Sequence, residues 1–276
     1  MIIDSHHHIW TLARGDYDWL TPDLAAIYRD FGPQDLHPLM SAAGVDRTVL
    51  IQAAPTIAET AFLLEVAATS AFVAGVVGWV DFEAADAADR IARLAEDPNL
   101  LGLRPMIQDM ADDAWMLRPA IAPAIRAMIS AGLTFDALVK PRHLPNLLRF
   151  AALYPGLDIV IDHAAKPDIA GGDIAGWARD IRVIAAETRT PCKLSGLMTE
   201  AAPGSGAEDL RPVVDILVEA FGADRLMWGS DWPVLNLNGR YDLWREAALS
   251  LTAGLSAWER EAIFGGSAAA FYGIVA

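Results

Sequence analysis

The sequence predicts an α/β fold: one (β/α)8 TIM-type barrel, a single domain over residues 1–276. Three observations predict it. Eight short apolar runs alternate with helix-compatible stretches, and no composition break marks a linker. The runs are apolar almost throughout, as expected of parallel strands buried on both faces. The chain has 276 residues, close to the ~250 typical of such a barrel. A doubly wound open sheet is the competing architecture. Its Gly-rich turn after the first strand is missing, and histidines stand there instead.

Taken in order, residues 2–8 read as strand one, and residues 10–31 as a loop too long for an idle connection. Pro33 opens a helix that Gly44 ends. Strand two runs over Arg47–Gln52, a helix over Pro55–Phe72 and strand three over Val73–Asp81. A helix over Glu83–Asp97 leads to strand four, Leu100–Arg104, which Pro105 stops. Pro119–Ala131 is helical up to Gly132, and strand five covers Leu133–Val139. A helix over Leu144–Leu153 ends at the Pro155-Gly156 turn, and strand six covers Leu157–His163. Asp173–Thr188 is helical, strand seven is Cys192–Gly196 and Ala207–Phe221 is helical. Strand eight is Arg225–Asp231, followed by a helix near 241–253. Ser256 and Glu259 form a capping box for a further helix, and a short helical tail follows Gly265-Gly266.

Composition narrows the function classes. At 54% hydrophobic residues the chain can build a large core. No apolar run is long enough for a membrane span, and no basic-then-apolar leader is present, so neither membrane nor secretion is expected. Cys192 is the single cysteine, which excludes an internal disulfide and suits a cytoplasmic protein. A net charge of −15 opposes nucleic-acid binding. A homo-oligomer is compatible with these features.

Function is written at the strand ends. In strand one, alternation puts His6 and His8 on one face and His7 on the other. Two imidazoles at the end of a buried strand make half of a divalent-metal site. A tag fragment would lie outside the fold, whereas this triplet caps an apolar strand. In a barrel the C-terminal strand ends converge on one mouth. His163 closes the run IVIDH and Asp231 closes LMWGSD, so His6, His8, His163 and Asp231 would offer three nitrogens and a carboxylate to one point. That set suits zinc or a similar ion. Arg104 ends a buried strand, where it needs either a substrate oxygen or a structural partner such as Asp81 or Asp136. Trp10, Trp79 and Trp232 lie by strand ends, to stack on a sugar ring or to fill the core. Lys166, three residues beyond His163, is within range of a substrate carboxylate or is solvated. His7 reads as structural, Trp228 as core, Ser195 as no nucleophile and Cys192 as inert packing away from the mouth.

DSHHHIW, IDHAAKP, CKLSGL and LMWGSDWPV resemble the amidohydrolase superfamily, in the branch of sugar-lactone hydrolases. The similarity is to fuconolactonase-, rhamnonolactonase- and aldarolactonase-like enzymes, and more distantly to pyrone-dicarboxylate lactonase. It implies a distorted barrel, a site on His6, His8, His163 and Asp231, and hydrolysis of a cyclic ester. Strand four has no lysine that could be carbamylated and strand five no histidine, which implies at most one metal ion, zinc foremost. Some members of the branch resemble metal-free enzymes. Lactone opening needs an activated water, an oxyanion partner and an acid for the leaving alkoxide. Asp231 is the expected general base, with His163 or a metal polarising the carbonyl. A decarboxylase of the same superfamily, a hydrolase of a non-sugar dicarboxylate lactone and a non-catalytic sugar-binding barrel are the alternatives.

Overall fold

Eight strands form one sheet in the order β1 to β8, every adjacent pair parallel. The computed structural model describes residues 1–275. The strands are β1 (Ile3–His7), β2 (Arg47–Ile51), β3 (Val73–Gly78), β4 (Leu100–Leu103), β5 (Thr134–Ala137), β6 (Ile159–Ile161), β7 (Cys192–Leu194) and β8 (Leu226–Trp228). Strand β8 returns to β1 to close the barrel. Asp231 N donates to His6 O at 2.8 Å and His8 N to Trp232 O at 2.7 Å. Asp4 staples the same seam: its carboxylate accepts Ser230 N at 2.8 Å and the Tyr241 hydroxyl at 3.0 Å. Burial raises the Asp4 pKa to about 6 in spite of these donors.

The main helices are α1 (Pro33–Ala42), α2 (Ile57–Thr69), α3 (Ala87–Leu94), α4 (Ala122–Ala131), α5 (Leu144–Leu153), α6 (Ala175–Glu187), α7 (Leu197–Glu200), α8 (Ala207–Phe221), α9 (Tyr241–Leu251), α10 (Ala257–Glu261) and α11 (Ser267–Tyr272). Their ends follow local chemistry. Thr56 accepts Glu59 N at 3.0 Å at the start of α2, and Gly132 takes φ 68 past the end of α4. The expected capping box is present: Ser256 Oγ accepts Glu259 N at 3.3 Å and Glu259 Oε2 accepts Ser256 N at 2.8 Å. No described helix is long and apolar enough to cross a membrane.

The barrel is filled and plugged. Ile3, Val49, Ile51, Val77, Val160 and Met227 cluster inside it, and Ala268 and Tyr272 of α11 join them. The outer faces of the strands meet the helices in a second, larger core. Strands six, seven and eight are shorter than the sequence suggested: β6 stops at Ile161 and β8 at Trp228, so His163 and Asp231 stand on turns just beyond the strands. The helix expected from Glu83 begins only at Ala87. The reason is physical: apolar runs continue past the last sheet hydrogen bond because the turns over the barrel mouth are themselves buried.

Candidate active site at the barrel mouth

Strand β1 delivers the imidazoles as alternation requires. His6 and His8 Nε2 atoms lie 3.2 Å apart, and His7 turns away, its Nε2 at 2.9 Å from Thr48 Oγ1. His8 Nδ1 meets the Ile51 carbonyl at 2.8 Å. A carbonyl only accepts, so His8 carries its proton on Nδ1 and presents the Nε2 lone pair to the mouth.

His163 arrives by a different device. Four successive residues, His163, Ala164, Ala165 and Lys166, take positive φ of 51°, 51°, 60° and 53°. Left-handed backbone costs about 1–2 kcal/mol per non-glycine residue. The turn is held by Trp177 Nε1 donating to Ala164 O at 2.7 Å, by Lys166 N donating to His163 O at 2.8 Å, and by burial of the two alanines. His163 Nδ1 contacts Ser195 Oγ at 2.9 Å. Ser195, read from the sequence only as a non-nucleophile, thus orients this ring. Gly196 completes the fit: at φ +65° a Cβ there would stand 2.6 Å from His163 Nδ1. Gly196→Ala is expected to lower kcat at least about tenfold and to cost about 1–2 kcal/mol; steady-state kinetics and thermal melts check it.

Asp231, at φ 59°, closes the group from the turn after β8. Its Oδ1 lies 3.4 Å from His8 Nε2 and 3.8 Å from both His6 Nε2 and His163 Nε2. Donor atoms of His6, His163 and Asp231 all lie within 4.8 Å of one another. The four residues expected to converge therefore do so. Burial holds His6 well below its ordinary pKa and His163 down at about 4, so both rings are neutral near pH 7. Burial alone would raise Asp231; His163, His8 and Lys166 more than offset it, and the carboxyl stays below its ordinary value. Neutral imidazoles beside an ionised carboxylate follow. The unfolded chain protonates His163 near 6.5 and the folded chain near 4. That contribution to stability is present above pH 6.5 and is lost as pH falls toward 4, roughly 3 kcal/mol in all. Activity is expected to hold from neutral pH down to about 5 and to fall through about 4; a pH–kcat profile checks it.

A cavity of about 330 Å³ opens over these groups, within the size range of small-molecule sites. His8, His163 and Asp231 floor it, with Arg104 and Lys166 at its sides. A larger surface cleft of about 840 Å³ between Leu148 and Thr190 gathers no imidazoles. Arg104, 3% exposed, pairs with Asp162 Oδ2 at 3.3 Å and donates to Gln52 O. Its structural partner is thus Asp162, not Asp81 or Asp136, because Asp81 is exposed and Asp136 is engaged by Lys193 at 2.6 Å. Lys166 pairs with Glu200 at 3.0 Å.

The three tryptophans expected to stack on substrate are placed elsewhere. Trp10 is fully buried, with Nε1 on Arg29 O at 2.8 Å, because its backbone pairs with Phe31 to close the 10–31 loop. Trp79 lies half-buried outside the cavity, its backbone bound to Thr60 Oγ1 at 2.8 Å. Trp232 sits edge-on to Phe31 and faces a separate surface cavity. Trp19, inside the same loop, lines the cavity instead, anchored by Nε1 on Ala53 O at 2.7 Å. Asp162 and Lys193, beneath the floor, were also missed; each sits beside a residue already singled out, His163 and Cys192.

The amidohydrolase family model matches residues 3–274. An L-fucono-1,5-lactonase from Burkholderia ambifaria is 50% identical over 278 residues, which cover 99% of this chain and 95% of that protein. A second L-fucono-1,5-lactonase, from Burkholderia multivorans, is 39% identical and covers 99% of this chain and 96% of its own. The crystal structure of an amidohydrolase from Burkholderia multivorans with bound Zn superimposes with TM-score 0.94 at 39% identity, over 100% of both chains. Motifs, barrel and converging imidazoles agree with these comparisons, and the chain belongs to the amidohydrolase family.

Proposed function

We propose that the protein opens a sugar-acid lactone by hydrolysis, with L-fucono-1,5-lactone as the first substrate to test. The observation that carries this reading is the ionised Asp231 within 3.4–3.8 Å of three neutral imidazoles at the floor of the cavity, two of which, His8 and His163, line it. The 50% identity to an L-fucono-1,5-lactonase supports the substrate class. Asp231 accepts a proton from a water aimed at the lactone carbonyl carbon. The carbonyl oxygen takes negative charge as the tetrahedral centre forms, and Arg104 and Lys166 at the cavity wall are cations placed to face it. Collapse breaks the ring C–O bond, and the proton held by Asp231 passes to the leaving alkoxide.

His6, His163 and Asp231 also fit a divalent ion, since their donor atoms meet within 4.8 Å and are of the nitrogen and carboxylate types zinc takes. A bound ion would lower the pKa of a water and polarise the carbonyl. Asp231 retains its acid–base duty in either case.

Charge pairing supports a neutral lactone over a dicarboxylate one. The two cations lining the cavity, Arg104 and Lys166, are each matched by a carboxylate at 3.3 and 3.0 Å. A second substrate carboxylate would find no uncommitted cation among the lining residues. Trp19 lines the cavity, where an aromatic side chain suits the C–H side of a sugar ring. Trp19→Ala is expected to raise KM about tenfold with kcat little changed. A pH-indicator screen of aldonolactones, aldarolactones and pyrone dicarboxylate, with and without chelator, tests the reading. Faster acid release from an aldonolactone is expected; turnover confined to dicarboxylates, or CO2 release from an aromatic acid, would replace it.

A further inference from the structure

Beneath the cavity floor lies a group of buried side chains that the reaction above does not use. Lys193 of β7 is fully buried. Its Nζ meets Asp136 Oδ2 at 2.6 Å, Asp162 Oδ1 at 3.0 Å and His6 Nδ1 at 3.2 Å. Asp136 Oδ2 also accepts the Tyr272 hydroxyl from α11 at 2.7 Å. A line of contacts thus runs from the helix that plugs the barrel bottom to the imidazole under Asp231.

An ammonium has three hydrogens and no lone pair. One of the hydrogens lies on Asp136 Oδ2, Asp162 Oδ1 is an ion-pair contact at 3.0 Å, and another hydrogen faces His6 Nδ1. That nitrogen must therefore present its lone pair, which leaves the single proton of the neutral ring on Nε2. The same assignment follows from the other side of the ring. His8 Nδ1 is committed as a donor to the Ile51 carbonyl, so His8 Nε2 is an acceptor, and it stands 3.2 Å from His6 Nε2. In the metal-free protein two lone pairs would repel at that distance, so His6 Nε2 is the donor there. The opposite tautomer would point N–H at the Lys193 ammonium at 3.2 Å, with Asp162 Oδ1, 3.4 Å away, as its only acceptor among these contacts. Arg104 Nη1, 3.4 Å from His6 Nε2, has its own acceptor in Asp162 Oδ2 at 3.3 Å.

We propose that Lys193 is a positioning residue: it holds His6 as the Nε2–H tautomer, so that His6 meets His8 as a hydrogen-bond donor and turns its N–H edge, rather than a lone pair, toward Asp231 Oδ1 at 3.8 Å. This rests on the reading of the cavity as a hydrolytic site. The donor occupies the His8 lone pair and puts positive N–H character, not a second lone pair, beside the Asp231 carboxylate. A cation that takes the His6 Nε2 lone pair must first send that proton to Nδ1, where Asp162 accepts it and Lys193 opposes it. Lys193 therefore also weakens metal binding at His6.

The first measurement needs no variant. Long-range ¹H–¹⁵N correlation spectra of the intact metal-free protein, assigned with His6→Gln, are expected to show His6 protonated at Nε2 and bare at Nδ1; the reverse pattern overturns the proposal. The second removes the network without stranding a charge or hydroxyl, by combining Lys193→Met, Asp136→Leu and Tyr272→Phe. Its Tm is expected to recover most of what Lys193→Met alone loses, while kcat stays down at least about tenfold with KM little changed. Affinity for zinc alone, measured by calorimetry, is expected to rise about tenfold. A variant whose kcat returns with its Tm and whose zinc affinity is unmoved assigns Lys193 a purely structural part and overturns the proposal. If the triple variant does not fold, the wild-type spectrum decides. Failure of the wild-type protein to hydrolyse any lactone would remove the hydrolase reading but leave the tautomer measurement standing, so the two failures are told apart.

Discussion

Replacing Asp231 by asparagine is expected to lower kcat by about three orders of magnitude while the protein stays folded. Asparagine is the informative choice for two reasons. It keeps the shape of the carboxylate, and it is one of the few residues that tolerates the left-handed φ of 59° found here. The backbone bonds that seat the turn, Asp231 N to His6 O and Leu235 N to Asp231 O, both at 2.8 Å, do not involve the side chain. What changes is the basicity of the one ionised group among three neutral rings. Kinetics read the first effect, and a melting curve within a few degrees of wild type reads the second. Activity near wild type in Asp231→Asn would remove Asp231 from the role of base.

The second large effect is on stability. Asp162 is fully buried and is contacted by Lys193 at 3.0 Å, Arg104 at 3.3 Å and His6 at 3.4 Å. Burial by itself would raise its pKa; Lys193, His6 and Arg104 outweigh that and hold it well below the usual carboxylate range. Asp162→Asn leaves two buried cations, Lys193 and Arg104, with one carboxylate, Asp136, which Lys193 contacts and Arg104 does not. Removing one partner from a buried charge cluster costs about 3–5 kcal/mol. For a chain of this size that corresponds to a fall in Tm of roughly 10 °C. An unchanged Tm would mean that the cluster is not charged as described.

The barrel and the four converging residues were legible because each is a local pattern at a strand end. Apolar runs repeat eight times, and His6, His8, His163 and Asp231 close three of them. Alternation alone placed His6 with His8 and sent His7 to Thr48. Other features were decided by long-range contacts. The run IVIDH looks like strand to its end, yet the chain turns left-handed at His163 because Trp177 and Ser195 are waiting there. No propensity in His-Ala-Ala-Lys announces that turn. Trp19 rather than Trp10 reaches the cavity because Trp10 and Phe31 pair across the loop, a contact between residues twenty-one apart (31 − 10). Lys193 lies in the CKLSGL run, but its meaning depends on Asp136, Asp162 and His6, which come from three other strand segments. Strand parity does signal that it points inward with Asp136, opposite to Cys192 and Leu194, whose side chains join the outer core.

The most direct measurement is turnover of L-fucono-1,5-lactone in ¹⁸O-labelled water, with enzyme sufficient to outrun spontaneous opening and Asp231→Asn run in parallel. Attack by an Asp231-activated water at the carbonyl is expected to place one labelled oxygen in the product carboxylate, at a rate that collapses to background in the variant. Label in the ring-derived hydroxyl, or equal rates for the two proteins, would contradict the mechanism assigned to the barrel mouth.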